Sequence, residues 1–180
     1  MKTRTMDKAV NAMNDCLYPF KTLFVEQGYP SSKHFQVIQT TDGAGAGIKA
    51  RIPFDSRVRI AKVSGYAVNE RRPHTLQVSP RIHLYDCWFC GLLHHSCNPN
   101  VFLDTTYLEL WTVQSIPADT RLTLDYASTE DTLFRQFACQ CGELNCRGWI
   151  TGSQEPLNAE GQAFMTEWRE RKQIGRASCR

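Results

Sequence analysis

The chain has no run approaching the roughly 18 apolar residues that a membrane-crossing helix needs, so no membrane span is expected. Its first residues, Met1-Lys-Thr-Arg-Thr-Met-Asp-Lys8, are polar, and no apolar stretch follows them. A secretory leader is therefore not expected either. Neither sign of charge dominates: 21 Lys and Arg stand against 18 Asp and Glu, a net +3. That balance, with no basic stripe, gives no direct nucleic-acid signal. Internal repeats and low-complexity tracts are absent. What is present is an ordinary globular composition, 42% hydrophobic over 180 residues, enough for one domain with a genuine core. Eight cysteines without a leader point to reduced thiols or metal ligands in an intracellular protein, not to disulfides.

The last seven residues, Ile174-Gly-Arg-Ala-Ser-Cys-Arg180, read like a translated sequencing adapter and are set apart from the fold. Leaving out Arg176 and Arg180 takes the net charge from +3 to +1, and Cys179 leaves the cysteine count. The spacing of Ala9, Met13, Leu17, Phe20 and Phe24 predicts helix over Asp7 to Gln27, kinked at Pro19, so that 1–34 forms a helical extension. Between Phe35 and Tyr126 turn-formers separate short alternating segments: Phe35–Thr40, Ile48–Ile52, Arg57–Val63, His74–Val78, Ile82–Tyr85, Tyr107–Thr112 and Arg121–Leu124. Short strands without intervening helices exclude a parallel βαβ sheet and predict a β-rich α+β domain of several small sheets. Glu160 to Gln173 predicts a closing amphipathic helix with Phe164, Met165 and Trp168 inward.

Chemistry concentrates in a few places. Cys139-Gln-Cys141-Gly-Glu-Leu-Asn-Cys146 is a CxCx4C run. Three thiols so close suit a metal knuckle, and a structural zinc wants a fourth ligand. Cys97, in His94-His95-Ser96-Cys97-Asn98-Pro99-Asn100, is the best candidate. Adjacent histidine side chains diverge, so His94 and His95 do not both reach one ion; alone, His95 reads as a buried hydrogen-bonding residue. Gly43, Gly45 and Gly47 alternate with Ala44 and Ala46 in a loop that lets backbone approach a ligand, or simply turns a hairpin. No helix follows it directly, which argues against a nucleotide phosphate loop. In Leu122-Thr-Leu-Asp-Tyr126 a strand would put Leu122, Leu124 and Tyr126 on one face. Cys16, Cys87 and Cys90 read as small apolar packing residues, although Cys87-Trp-Phe-Cys90 has redox-motif spacing.

In this order, the glycine loop, His94-His95-Ser96-Cys97-Asn98-Pro99-Asn100, Arg121-Leu-Thr-Leu-Asp125-Tyr126 and the CxCx4C run resemble the SET-domain protein-lysine methyltransferases, small stand-alone type, with a post-SET zinc knuckle. That family's pattern is GxG, N-H-S-C-x-P-N, E-L-T-x-D-Y and CxCx4C. The resemblance covers about Phe35 to Ile150. It implies a SET domain over 35–128 with a knot-like C-terminal segment, a zinc knuckle over 135–152 and a C-terminal helix over 153–173. It implies transfer of a methyl group from S-adenosyl-L-methionine to a lysine of a protein substrate, histone or other. Ala44, Gly45, Ala46, His94, His95 and Tyr126 would contact that cofactor, Tyr126 as the catalytic tyrosine. Cys97, Cys139, Cys141 and Cys146 would bind one structural zinc. Leu124 and Trp149 would line the substrate channel. His94 stands where the family has Asn. Leu124 stands where it often has Phe or Tyr, which favours higher methylation states. A catalytically weak SET-like binding module stabilised by zinc is the other reading.

Overall fold

The computed structural model describes residues 15–39 and 45–177, with the side chains of the last helix described as far as Arg171. Twelve short strands are found among the described residues, arranged as five small sheets. Strands β1 (Phe35–Gln39) and β2 (Ala46–Ala50) form an antiparallel pair around the glycine loop. β3 (Arg59–Lys62), β8 (Val101–Asp104) and β9 (Glu109–Thr112) form one three-stranded sheet, with β9 central. β4 (Tyr66–Val68), β5 (Thr75–Ser79) and β6 (Ile82–Tyr85) form another, with β6 central. Two two-residue ladders complete the set. β7 (His94–His95) pairs in parallel with β10 (Thr123–Leu124), and β11 (Phe137–Ala138) pairs antiparallel with β12 (Trp149–Ile150). No helix among the described residues is long and apolar enough to cross a membrane.

The sheets meet over a core whose most enclosed side chains include Phe35, Ile48, Phe89, Leu110, Ile116, Leu122 and Leu124. Alternation explains the choice: in β8 Val101 and Leu103 point inward while Phe102 points out. Two expected strands start late for a local reason. His74 and Leu108 have φ of 64° and 53°, a left-handed conformation that a strand cannot contain, so the ladders begin at Thr75 and Glu109.

The N-terminal expectation needs correction. Residues 1–14 lie outside the described part. Between Asp15 and His34, only Val25–Gln27 is helical, as a single 3-10 turn. The segment instead runs extended against Pro30–Ser32, with Leu17 N donating to Pro30 O at 2.8 Å and Ser32 N to Asp15 O at 2.7 Å. Packing against the core overrides the helical spacing, and the buried anchor is Tyr18. The closing helix, α1 (Ala159–Ala177), starts where Asn158 Oδ1 accepts from Gly161 N at 2.7 Å. It continues through 174–177, which the sequence reading had set apart. Phe164, Met165 and Trp168 are its half-buried residues, as expected. Gly161 is required there, because a Cβ would lie 2.5 Å from Trp149 Nε1.

One buried carboxylate organises the wall behind the site. Asp86 Oδ1 accepts from Trp88 N at 3.0 Å and Phe89 N at 2.9 Å, and Oδ2 from Cys90 N at 2.7 Å and Tyr18 OH at 2.8 Å. Burial raises its pKa above the usual carboxylate range, while these donors pull the other way. All four partners donate, so both oxygens must accept. Asp86→Asn places an NH2 against donors and is expected to destabilise the fold by about 2 kcal/mol, read as a lower midpoint in urea unfolding.

Candidate functional site

The centre of the site is the place where β7 lies beside β10. His94 pairs with Thr123 and His95 with Leu124. The turn that follows β7 latches the two segments together. Asn100 Nδ2 donates to Arg121 O at 2.8 Å, and its Oδ1 accepts from Thr123 N at 2.8 Å. One side chain thus satisfies a backbone donor and acceptor that a two-residue ladder leaves over. Ser96 N donates to Leu124 O at 3.1 Å and extends the contact. Residues some thirty positions apart are held as neighbours, and Tyr126 leaves β10 directly into the site.

Two cavities flank this seam. One, about 450 Å³, is lined by Gly45, Ala46, Leu93, His94, Leu124 and Tyr126 among others. The second, about 680 Å³, is lined by His94, His95, Asn98, Arg121, Tyr126 and residues of the cysteine run. His94, Tyr126 and Phe137 border both. The Tyr126 hydroxyl donates to Leu93 O at 2.8 Å. Burial, with Cys90 and Glu130 nearby, pushes its pKa up to about 12, so the phenol is neutral over the physiological range.

His94 faces the glycine loop, with Nε2 3.0 Å from Ala46 O. Gly45 there has φ of 85°, a conformation that costs glycine little. Ala44 lies outside the described residues. His95 is buried and neutral: burial, reinforced by the Arg147 charge and opposed by Asp125, lowers its pKa to about 4. Its Nδ1 accepts from Tyr126 N at 3.3 Å, leaving Nε2 toward Cys97 Sγ at 3.4 Å.

The cysteine expectation has a clear geometry. One sulfur from each of Cys97, Cys139, Cys141 and Cys146 lies within 4.8 Å of all the others. Cys97 and Cys139 are 3.8 Å apart, close to the ~3.8 Å edge of a tetrahedron with Zn–S bonds of about 2.3 Å. The surroundings also fit thiolates. Arg147 N points at Cys97 Sγ and Gly148 N at Cys146 Sγ, each at 3.4 Å. Burial alone would raise the Cys141 pKa, but the backbone amides of Cys97 and Glu143 and the neighbouring thiols bring it down to about 7, whereas burial raises those of Cys139 and Cys146. Four soft donors with no open position suit a structural zinc ion.

Trp149 is not where the sequence reading placed it. It lines neither cavity. In the β11–β12 ladder Phe137 pairs with Ile150 and Ala138 with Trp149, so Phe137 and Trp149 point to opposite faces. Trp149 is buried against Phe164 of α1, with ring centroids 5.3 Å apart, and donates to Gln136 Oε1 at 3.0 Å. Phe137 instead borders both cavities. Its ring centroid is 6.0 Å from that of Tyr126 and 5.9 Å from that of His95. The available signal was an aromatic residue two positions before the first knuckle cysteine.

No protein-family model matches the chain. Over 131 residues it is 27% identical to the methyltransferase flvH of Aspergillus flavus, covering 68% of this chain and 72% of that protein. Over 68 residues it is 33% identical to the tobacco (Nicotiana tabacum) histone-lysine N-methyltransferase, H3 lysine-9 specific SUVH1, covering 32% of this chain and 10% of that protein. Among solved structures, KRYPTONITE in complex with mCHH DNA, an H3(1-15) peptide and SAH superposes with a TM-score of 0.53 at 20% identity. That match covers 64% of this chain and 29% of the other.

The cysteine geometry carries a prediction. Purified protein is expected to hold one zinc per chain by metal analysis. Cys139→Ser should lose that metal and lower the melting temperature by several degrees; full zinc content in the variant would remove Cys139 from the site.

Proposed function

We infer that this chain, which has the SET-domain fold, transfers a methyl group from S-adenosyl-L-methionine to the side-chain amine of a protein lysine. The observation that carries this reading is the seam itself. Gly45, Ala46 and His94 border the same cavity as Leu124 and Tyr126, so the end of the glycine-rich segment and a half-buried tyrosine face one open cleft. The bound cofactor supplies an electrophilic methyl group on a sulfonium. Ala44, Gly45, Ala46, His94 and His95 would hold it, with Tyr126 at its reactive end.

The chain's own groups do the rest by position. A lysine amine attacks only when neutral, and desolvation against Leu124, Tyr126 and Phe137 would lower its pKa. The Tyr126 hydroxyl is aimed by the Leu93 carbonyl and stays protonated, so it orients the reacting groups and does not act as the base. No covalent intermediate with the chain is called for; proximity and electrostatics account for the rate. Cys97, Cys139, Cys141 and Cys146 would hold a structural zinc ion, which would tie the knuckle to the turn after β7, near Phe137. KRYPTONITE was solved with a histone H3 peptide, and a protein substrate is the matching expectation here.

The test uses zinc-replete protein, labelled S-adenosyl-L-methionine, mixed histones and a cell extract. Label is expected on lysine, and Tyr126→Phe should cut turnover at least a hundredfold while leaving cofactor affinity within about threefold. No cofactor binding by correctly folded, metal-loaded protein would favour a binding module instead. The rate should rise with pH as the lysine amine loses its proton. It should show no fall assignable to Tyr126 below about pH 10, because that phenol ionises only near 12. Leu124→Tyr adds a hydroxyl to the channel and should shift products toward monomethyl-lysine; an unchanged methyl distribution by mass spectrometry would refute that role.

A further inference from the structure

We propose that Arg121 is a positioning residue for the methyl-donor loop, acting through the ring of His94; the donor part of this rests on the function proposed above. A guanidinium has donors and no acceptor. The Arg121 Nη1 lies 3.3 Å from His94 Nδ1, so Nδ1 must be the bare nitrogen of a neutral ring. The ring proton then sits on Nε2, which faces the Ala46 carbonyl at 3.0 Å. In the other tautomer two donors would meet at Arg121 and two acceptors at Ala46. The arginine thus selects the form of the ring that grips the loop.

The grip is close. A Cβ on Gly47 would lie 3.2 Å from His94 Nε2, so the imidazole lies close against the first residues of β2. Ala46 pairs with Gln39 at the loop end of the β1–β2 hairpin, so a bond to its carbonyl fixes the loop where it enters the sheet. The Arg121 backbone is held independently of its side chain: its carbonyl accepts from Asn100 Nδ2 at 2.8 Å, and the residue bridges to Lys49. Substitution of the side chain therefore leaves these backbone contacts of the seam in place. Arg121 borders the 680 Å³ cavity and Ala46 the 450 Å³ cavity, while His94 borders both. The ring transmits the position of a charge in one cavity to the backbone that shapes the other.

The experiment uses the full, zinc-replete chain. Two-dimensional nitrogen–proton spectra report the His94 tautomer, and calorimetry reports the dissociation constant for S-adenosyl-L-methionine. Wild type should show the Nε2–H form. Arg121→Met should show a mixture of tautomers and bind the cofactor about tenfold more weakly, the loss expected for one charge-assisted hydrogen bond. Arg121→Lys, which still donates, should restore the Nε2–H form. His94→Gln can donate to Ala46 and accept from Arg121, so it should stay within about threefold of wild type, where His94→Leu should not. These two comparisons decide the matter if Arg121→Met fails to fold. An unchanged tautomer and unchanged affinity in Arg121→Met, or a Gln variant as weak as the Leu variant, would overturn the proposal. If wild type binds no cofactor, the proposed function fails, and the tautomer spectra still decide whether Arg121 sets the ring.

Discussion

Everything at the site depends on a two-residue parallel ladder. β7 and β10 contribute little hydrogen bonding of their own, and Asn100 supplies what they lack by bonding Arg121 O and Thr123 N with one amide. From that seam radiate His94 toward the glycine loop, His95 toward the cysteines, Leu124 into the core and Tyr126 toward Leu93. Each is placed by the backbone on which it stands. A site so assembled has its groups in position before a ligand arrives, and preorganisation of this kind is what methyl transfer needs.

The second constraint is metal geometry. Cys97 belongs to the seam and the other three cysteines to the knuckle, so a tetrahedral ion would staple the two. Asn145 Nδ2 donates to Cys97 O at 3.0 Å, and Arg147 forms an ion pair with Asp125, so the protein already holds the knuckle against the seam. Phe137, two residues before Cys139, stands beside His95 and Tyr126. The aromatic cluster of His95, Tyr126 and Phe137 is therefore built from three segments with one metal site among them.

The sequence made the site more legible than the framework around it. Cysteine spacing is a strong signal because tetrahedral chemistry restricts it, and the four sulfurs do converge. The SET-like order of motifs predicted the class of fold. Two-residue strands were illegible, since β7, β11 and β12 are too short to show any alternation. The exchange of Trp149 for Phe137 follows from this, because the register of an unseen ladder decides which aromatic faces the cavity. The N-terminal arm was misread for the opposite reason. Its apolar spacing was real, but Tyr18 is drawn to Asp86 and the chain follows it. Arg121 was not singled out because its part in the site runs through a ring nitrogen, and no spacing reveals a tautomer.

The order of the elements along the chain has a consequence for biosynthesis. The seam joins β7 to a strand some thirty residues later, and the metal cluster joins Cys97 to a cysteine nearly fifty residues later. Such contacts carry a loop-closure cost that local hairpins do not, so they form late. A nascent chain that has released residues up to Asp104 contains the strands of the β4–β6–β5 sheet yet still lacks Tyr126 and three of the four thiols. Tyr126 and the four thiols therefore come together only after translation has passed Cys146.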